Sequence, residues 1–272
     1  MEAIFLQVVN LGISAGWLVL AVLVLRLLLR RAPRWMICAM WGLVALRLLC
    51  PVSIESRLSL VPSAETLPAE ILTTAAPEIH SGVTAIDRVV NPVLTQTLAP
   101  TPGASANPTQ LLSTVLAWIW AAGVAATLLY ALVSTLLLRR RVATATLYAP
   151  GVKQSEYIAT PFVLGVIRPT VYLPYRMEEA DLPHVLAHER AHIRRRDGAW
   201  KLLGFVLLSV YWFHPLLWAA YLFFCRDVES ACDEAVIRDL PEEERRSYAA
   251  ALLRCGTGRS TQFIYPLSFR DT

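Results

Sequence analysis

The 24 residues 202–225 read LLGFVLLSVYWFHPLLWAAYLFFC and contain no charged side chain. About 20 apolar residues suffice for a helix to cross the hydrocarbon core of a bilayer. His214 and Pro215 interrupt the stretch near its middle, and proline disfavours helical backbone in the residue before it. The stretch therefore predicts either one membrane span or two helical arms of about 12 residues that turn at this pair.

The composition of the whole chain is that of an integral membrane protein. Of 272 residues, 56% are hydrophobic and 17% are charged, whereas soluble domains average about 25% charged residues. Five cysteines are present, and no two of them form a C-x-x-C pair. This composition excludes an ordinary soluble domain and a disordered chain, and it supports neither a disulfide framework nor a cysteine-based zinc cage.

Three further apolar segments predict transmembrane helices at residues 3–25, 35–54 and 109–138. Arginines cluster between the first two segments and again directly after the third, while the loop at 56–108 is rich in proline, threonine and alanine. The positive-inside rule then puts the N-terminus and this loop outside the cell membrane, and everything after residue 139 begins in the cytoplasm. The loop lacks sustained periodicity, so we expect it to be mostly irregular.

A zinc-binding pattern follows the third segment. Asp181 and Pro183 predict the start of a helix that continues through Ile193. That helix carries His188-Glu-Arg-Ala-His192, and residues four apart lie on one helix face, so both imidazoles can reach one zinc ion. Glu189 is the next residue after His188 and can take a proton from a zinc-bound water. The pattern predicts peptide hydrolysis, and the alternative is an ordinary polar helix face.

A second pair of acidic residues can complete this site. Glu229 and Asp233 are also four residues apart in a helical pattern. If Glu229 is the third ligand, the fourth zinc position stays open for water, as a catalytic site requires. Asp233 on the same face can accept the second ring N–H of a ligand histidine. The alternative is a solvated acidic face, and Cys232 between them is expected to be packed rather than reactive.

These residues resemble the BlaR/MecR-like family of bacterial membrane zinc metallopeptidases. The matching segments are 47–53 (RLLCPVS), 161–165 (PFVLG) with Pro169 and 173–174 (LP), 188–197 (HERAHIRRRD), 213–215 (FHP) and 229–234 (ESACDE). The resemblance implies that His188, His192 and Glu229 bind Zn²⁺, that Glu189 is the base, and that Asp233 supports a ligand from outside the metal's own ligand set.

The resemblance also implies a role in signalling. The best-known members of that family sense β-lactams and remove a transcriptional repressor. They commonly carry a further transmembrane helix and an extracellular penicillin-binding domain. This chain ends at Thr272 without such a segment. We therefore expect its signal to arrive through the 56–108 loop or a separate sensor protein, and we expect no direct binding of nucleic acid.

A ligand role for Glu229 decides between the two interpretations of 202–225. A spanning helix would leave Glu229 about 30 Å from His192, across the membrane, whereas a zinc ligand lies within about 2.2 Å of the ion. We therefore predict a re-entrant hairpin that turns at His214 and Pro215 and packs against the three spans. His214 itself is expected to serve the turn, with a role as a donor in the reaction as the alternative.

The predicted architecture is an α-helical membrane protein with three transmembrane helices, a re-entrant hydrophobic hairpin and a small α+β cytoplasmic zincin-like peptidase domain. Its parts are residues 1–55 with the first two spans, the outer loop at 56–108, the third span at 109–141, and the peptidase domain at 142–272, which contains the hairpin.

The predicted function is a membrane-bound zinc endopeptidase that cleaves a cytoplasmic or membrane-proximal protein, with a transcriptional repressor as the expected substrate. The substrate would add a strand to the edge formed around residues 162–173. The alternative is a non-catalytic membrane signal transducer in which the zinc site is structural. A transporter fits poorly, because ionisable residues are scarce within the apolar segments.

Overall fold

The computed structural model describes residues 1–50, 79, 84–98 and 108–256. The chain divides into two compact units, and several helices contribute residues to both. The first, here the helical unit, comprises Met1–Arg30, Met40–Ala126 and Leu207–Ala219. The second, here the sheet unit, comprises Arg31–Ala39, Thr127–Val206 and Ala220–Thr272.

The described residues form eight helices and one four-stranded sheet. The helices are α1 (Glu2–Leu28), α2 (Arg34–Leu49), α3 (Thr84–Leu98), α4 (Pro108–Arg141), α5 (Leu182–Arg195), α6 (Asp197–Val210), α7 (Pro215–Asp239) and α8 (Glu242–Gly256). The strands are β1 (Thr146–Ala149), β2 (Val152–Ser155), β3 (Phe162–Leu164) and β4 (Thr170–Pro174).

Among the residues that the structure describes, two helices are long and apolar enough to cross a membrane. They are α1, with 27 residues, and α4, whose candidate span covers Thr109–Arg141. The predicted second span corresponds to α2, which has 16 residues and is shorter than the roughly 20 that a span needs. The structure thus supports a mostly helical protein with two candidate membrane helices, and a third span stays a prediction.

The apolar stretch 202–225 is not one continuous helix. Helix α6 ends at Val210 and α7 begins at Pro215, so the break falls where proline removes a donor and restricts the preceding residue. A hydrogen bond from the His214 N–H to the Tyr211 carbonyl, at 2.9 Å, closes the turn between them. The break is where the sequence predicts it, whereas the position of the two arms in a bilayer stays a prediction.

Within the helical unit this turn contacts three other helices. The Tyr211 hydroxyl donates to the Leu48 carbonyl of α2 at 2.9 Å. The Trp212 indole lies so close to Gly123 of α4 that a Cβ there would come within 2.2 Å of the ring. His214 packs against Gly16 of α1, where an added Cβ would lie 3.2 Å from Nε2. Glycines therefore make room for the bulky turn on α1 and α4.

Helix α3 lies within residues 56–108, which the sequence predicts to be mostly irregular. It runs for 15 residues despite Pro92 in its interior. Asn91 ties it to the preceding chain, because its side-chain oxygen accepts from the Ile79 N–H at 2.9 Å. The helix is amphipathic, with apolar residues spaced to lie on one face. Its proline and threonine residues, which are poor helix formers, make this pattern hard to recognise in the sequence. The rest of the predicted loop lies outside the described residues.

The sheet has the strand order β1-β2-β4-β3. Strands β3 and β4 pair antiparallel as a β-hairpin, with Val163 opposite Val171. Gly165 begins their connection at φ 101°, and a Cβ there would lie 2.7 Å from the Arg168 carbonyl oxygen. Only glycine fits this tight turn. Strands β1 and β2, which the mixed polar sequence does not reveal, extend the sheet on its other side.

Helix α5 lies against one face of this sheet. Val185 of α5 packs with Val152, Val171 and Leu173, all nearly inaccessible to solvent. The opposite face of the sheet covers the end of α4, where Leu138 contacts a cluster that includes Phe162. Burying these side chains on both faces of the sheet fixes the position of α5, the helix that carries the zinc-binding pattern.

Candidate metal centre

The start of α5 is held in place by an ion pair. Asp181 is the N-cap residue and Pro183 lies in the first turn, as predicted, but the Asp181 side chain makes no capping hydrogen bond. Instead its carboxylate accepts two hydrogen bonds from Arg254 of α8, one of them from Nε at 2.9 Å. Asp181 therefore joins α5 to α8 rather than satisfying the helix end.

Three predicted residues of α5 are buried together on its inner face. His188, Glu189 and His192 are 8%, 3% and 3% exposed. The Nε2 atoms of His188 and His192 lie 3.1 Å apart, as expected for residues one turn apart on one helix face. The structure thus brings both imidazoles to a common point.

Glu229 of α7 reaches the same point. Its Oε2 atom lies 3.2 Å from the Nε2 atom of His192 and 3.6 Å from that of His188. The break between α6 and α7 makes this possible, because α7 then runs from Pro215 past the two histidines. Residues that are 37 and 41 positions apart in the chain therefore present three ligand-type atoms to one another.

His188 is supported from two distant helices. Its Nδ1 atom lies 3.1 Å from Oδ1 of Asp233 on α7 and 2.9 Å from the Tyr248 hydroxyl on α8. The Tyr248 hydroxyl in turn donates to Asp233 at 3.0 Å. Burial, followed by Asp233, raises the pKa of Tyr248, so its hydroxyl keeps its proton. Tyr248 can then accept from Nδ1–H of His188, which leaves Nε2 free to act as a ligand.

His192 is supported by the residue that begins the next helix. Arg196 ends α5 in the left-handed conformation, at φ 57°, and the chain turns directly into α6. This turn brings Oδ2 of Asp197 to 2.7 Å from Nδ1 of His192. Arg195 donates to the other Asp197 oxygen at 3.3 Å. A carboxylate behind a ligand histidine holds its tautomer and ring orientation.

Electrostatics make the centre a place for a cation. Burial alone would raise the pKa of Glu229, but Lys201 and His192 hold it well below its usual value. Burial also disfavours protonated histidine, yet hydrogen bonds to Asp233 and Glu229 raise the pKa of His188 to about 10. The carboxylates thus favour positive charge between the two imidazoles, where a proton and a metal ion compete.

Glu189 carries an orphaned atom. Its Oε2 atom is buried and has no hydrogen-bond partner among the described residues. Leaving a buried carboxylate oxygen unpaired is costly, so native structures seldom do so without a functional reason. Glu189 follows the ligand-type residue His188 directly, as expected for a base that acts on a water at the centre.

Cys232 is the other ligand-type residue at this point. It is fully buried, and its Sγ atom lies within 4.8 Å of ring nitrogens of His188 and His192. The sulfur contacts the His188 carbonyl oxygen at 3.6 Å. The two histidines can therefore be joined by Glu229 or by Cys232, and Oε2 of Glu229 lies 3.2 Å and 3.6 Å from their Nε2 atoms.

A cleft of about 400 Å³ opens beside His192. Its walls are largely apolar and come from the β3–β4 hairpin and the α5–α6 junction. They include Val163, Val166 and Ile167 on one side and Ile193, Arg196 and Ala199 on the other. Ile167 at the edge of this cleft is 94% exposed.

The donor set fits zinc. Four-coordinate zinc with ligand bonds of about 2.0–2.2 Å separates neighbouring ligand atoms by about 3.3–3.6 Å. The three distances among His188, His192 and Glu229 are 3.1, 3.2 and 3.6 Å. Two imidazoles and one carboxylate form a typical catalytic zinc set with one position left for water.

The structure brings four of the five predicted site residues into direct contact. His188, His192 and Glu229 surround the centre, and Asp233 lies behind His188. Glu189 is buried next to His188 and acts on it electrostatically, without a hydrogen bond. Three contributors were missed in the sequence: Asp197, Lys201 and Tyr248. Asp197 had a local signal, because it follows His192 by five residues, whereas Lys201 and Tyr248 had none.

Comparison with known sequences identifies the family of the chain. The family described as BlaR1 peptidase M56 matches residues 6–267, nearly the whole chain. The chain therefore belongs to the BlaR1 peptidase M56 family.

Individual relatives match a smaller part. The Methicillin resistance mecR1 protein of Staphylococcus aureus is 26% identical over 113 residues, which is 40% of this chain and 19% of that protein. The Regulatory protein BlaR1 of Bacillus licheniformis is 35% identical over 104 residues, which is 37% of this chain and 17% of that protein. The matched part thus spans less than a fifth of each relative.

Proposed function

We propose that this protein is a membrane-bound zinc endopeptidase in which His188, His192 and Glu229 hold the metal. The observation that carries the proposal is the triangle of two Nε2 atoms and one Oε2 atom, whose sides of 3.1, 3.2 and 3.6 Å are within about 0.2 Å of those expected for tetrahedral zinc. Membership of a peptidase family supports the same activity.

The chain's own residues have distinct roles in this reaction. A bound zinc ion supplies Lewis-acid chemistry and lowers the pKa of a bound water toward about 7. Glu189 accepts the proton of the attacking water at its unpaired Oε2 and then donates it to the leaving amine. Asp233 and Asp197 hold the rings of His188 and His192 in the orientation that directs Nε2 to the centre.

The substrate is a protein segment bound in extended form. Strand β3 is at one edge of the described sheet, so its outer backbone groups are available to pair with another strand. The cleft beside His192 adjoins this strand through Val163 and takes an apolar side chain of the substrate. Relatives named as regulatory and resistance proteins make a transcriptional repressor the substrate class to test first.

In the cell the protein is a multi-pass membrane protein. Helices α1 and α4 span the bilayer, α2 adds a third span, and the α6–α7 hairpin re-enters it. By the positive-inside rule, the three arginines that end α4 favour a cytoplasmic peptidase domain at 142–272 and an N-terminus outside. The signal reaches the peptidase through the outer loop or a separate sensor protein.

The test joins metal analysis to a single substitution. Purified wild type should hold one zinc per chain, and Glu189→Gln should keep the zinc while losing at least about 100-fold in cleavage. Proteins that accumulate uncleaved in cells carrying Glu189→Gln identify the substrate. A wild-type protein without zinc, or a Glu189→Gln variant with full activity, refutes the proposal.

A second function rests on buried Cys232. If Cys232 binds the metal in addition to His188, His192 and Glu229, protein ligands fill all four zinc positions, as in structural zinc sites, and the protein is a non-catalytic signal transducer. Cys232→Ser would then release zinc, and Glu189→Gln would leave the cellular response intact. Under the peptidase proposal, Cys232→Ser keeps zinc and Glu229→Gln releases it.

A further inference from the structure

Lys201 is a buried cation in a chain that otherwise uses arginine almost throughout. Of 25 basic residues, 23 are arginines and two are lysines, Lys153 and Lys201. Lys201 is 3% exposed and lies on α6, one turn after Asp197. A buried ammonium is costly unless an acceptor compensates for its lost hydration.

The acceptor is Glu229, and its two carboxylate oxygens have different partners. Nζ of Lys201 donates to Oε1 at 2.8 Å. The other oxygen, Oε2, faces the histidines, at 3.2 Å from His192 and 3.6 Å from His188. One oxygen is therefore fixed by Lys201, and only the second is directed to the centre.

The chemistry of lysine suits this arrangement better than that of arginine. An ammonium is a compact charge that can bond one carboxylate oxygen, whereas a guanidinium presents a planar fork that engages both oxygens of a carboxylate. An arginine beside Glu229 would compete with the histidine side for Oε2. The choice of lysine at position 201 is thus informative in an arginine-rich chain.

We propose that Lys201 is a positioning residue that holds Glu229 as a one-oxygen metal ligand. This role rests on the proposed function, because it assumes that Glu229 binds the metal. Helix α6 then supports two ligands at once, since Asp197 orients His192 and Lys201, four residues later, orients Glu229.

The experiment measures zinc affinity in the full-length protein in detergent, by competition with a chelator. Lys201→Met should weaken zinc binding about 10- to 100-fold, the usual effect of losing a partner behind a ligand. The matched control, Lys153→Met, removes the other lysine, on β2, and should leave zinc affinity unchanged. The absorption spectrum of the Co²⁺-substituted protein should change for Lys201→Met and stay the same for Lys153→Met.

Lys201→Arg separates positioning from simple charge compensation. If Lys201 only neutralises buried charge, arginine restores zinc affinity and the wild-type Co²⁺ spectrum, and the positioning role is overturned. If one-oxygen contact matters, Lys201→Arg stays weaker than wild type. This variant also replaces Lys201→Met as the test should the latter fail to fold.

Two results separate this role from the proposed function. A wild-type protein that binds zinc while Lys201→Met binds it equally or more tightly overturns the role of Lys201 alone. A wild-type protein without a zinc site overturns the proposed function and this role with it.

Discussion

The two histidines of the centre are supported by different parts of the chain. His192 relies on Asp197, five residues away and brought back by the left-handed turn at Arg196. His188 relies on Asp233 and Tyr248, which are 45 and 60 residues away on two other helices. The His192 side is thus built locally, and the His188 side is built by packing α5 against α7 and α8.

The two histidines also differ in the number of oxygen atoms that contact Nδ1. Asp197 is 4% exposed at its side chain and is the closest partner of Nδ1 of His192 among the described residues. Nδ1 of His188 has two oxygen partners, and the side chain of one of them, Asp233, is 41% exposed. Loss of one partner should therefore harm the His192 side more.

The largest effect is expected for Asp197→Asn. The amide keeps the shape of the side chain but is a weaker acceptor for the ring N–H of His192, and it also loses the charge that faces Arg195. Zinc affinity and cleavage should fall about 10- to 100-fold. Chelator competition checks the affinity, with the exposed Asp239→Asn as the control. Equal losses for Asp197→Asn and Asp233→Asn would refute the difference between the two sides.

A smaller effect is expected for Asp233→Asn, because the Tyr248 hydroxyl still contacts Nδ1 of His188. Zinc affinity should fall by less than about tenfold. The double variant Asp233→Asn with Tyr248→Phe should lose more than the sum of the two single losses in free energy, since each residue substitutes for the other. Strict additivity would show that the two contacts are independent.

The smallest effect is expected for Arg254→Gln, which breaks the tie between α5 and α8. The hydrogen bond from Arg254 lowers the pKa of Asp181 below its ordinary value of 3.8. A depressed carboxyl pKa stabilises the fold above the ordinary pKa, and this contribution is lost as pH falls through the folded value. Arg254 is half-exposed, so solvent screening keeps the effect small.

Thermal melting of wild type and Arg254→Gln across pH 2–7 tests this pH dependence of stability. The wild type should be slightly more stable at neutral pH, and the gap should close below about pH 4. The control Arg238→Gln changes a charge that is 75% exposed and should show no such gap. A gap that widens in acid would contradict the assigned cause.

The apolar stretches show how far sequence reasoning reaches. Residues 109–138 form part of one unbroken helix, while 202–225 breaks at Tyr211–His214. By hydropathy alone, both stretches would be predicted as membrane spans. Pro215, together with the requirement that Glu229 reach His192, predicted that only the second stretch is broken. The helix α3 and the strands β1 and β2 were not predicted, because short amphipathic elements are stabilised by neighbours that a local pattern does not contain.

The sequence by itself determined the apolar segments, the helix that carries His188, Glu189 and His192, and the turn at His214 and Pro215. Each follows from local chemistry: charge-free length, four-residue spacing, and the backbone restriction of proline. Only the tertiary structure decided that Glu229 faces both histidines, that Tyr248 lies behind His188, and that Lys201 takes the other oxygen of Glu229. Those contacts join separate helices, and packing in three dimensions sets their geometry.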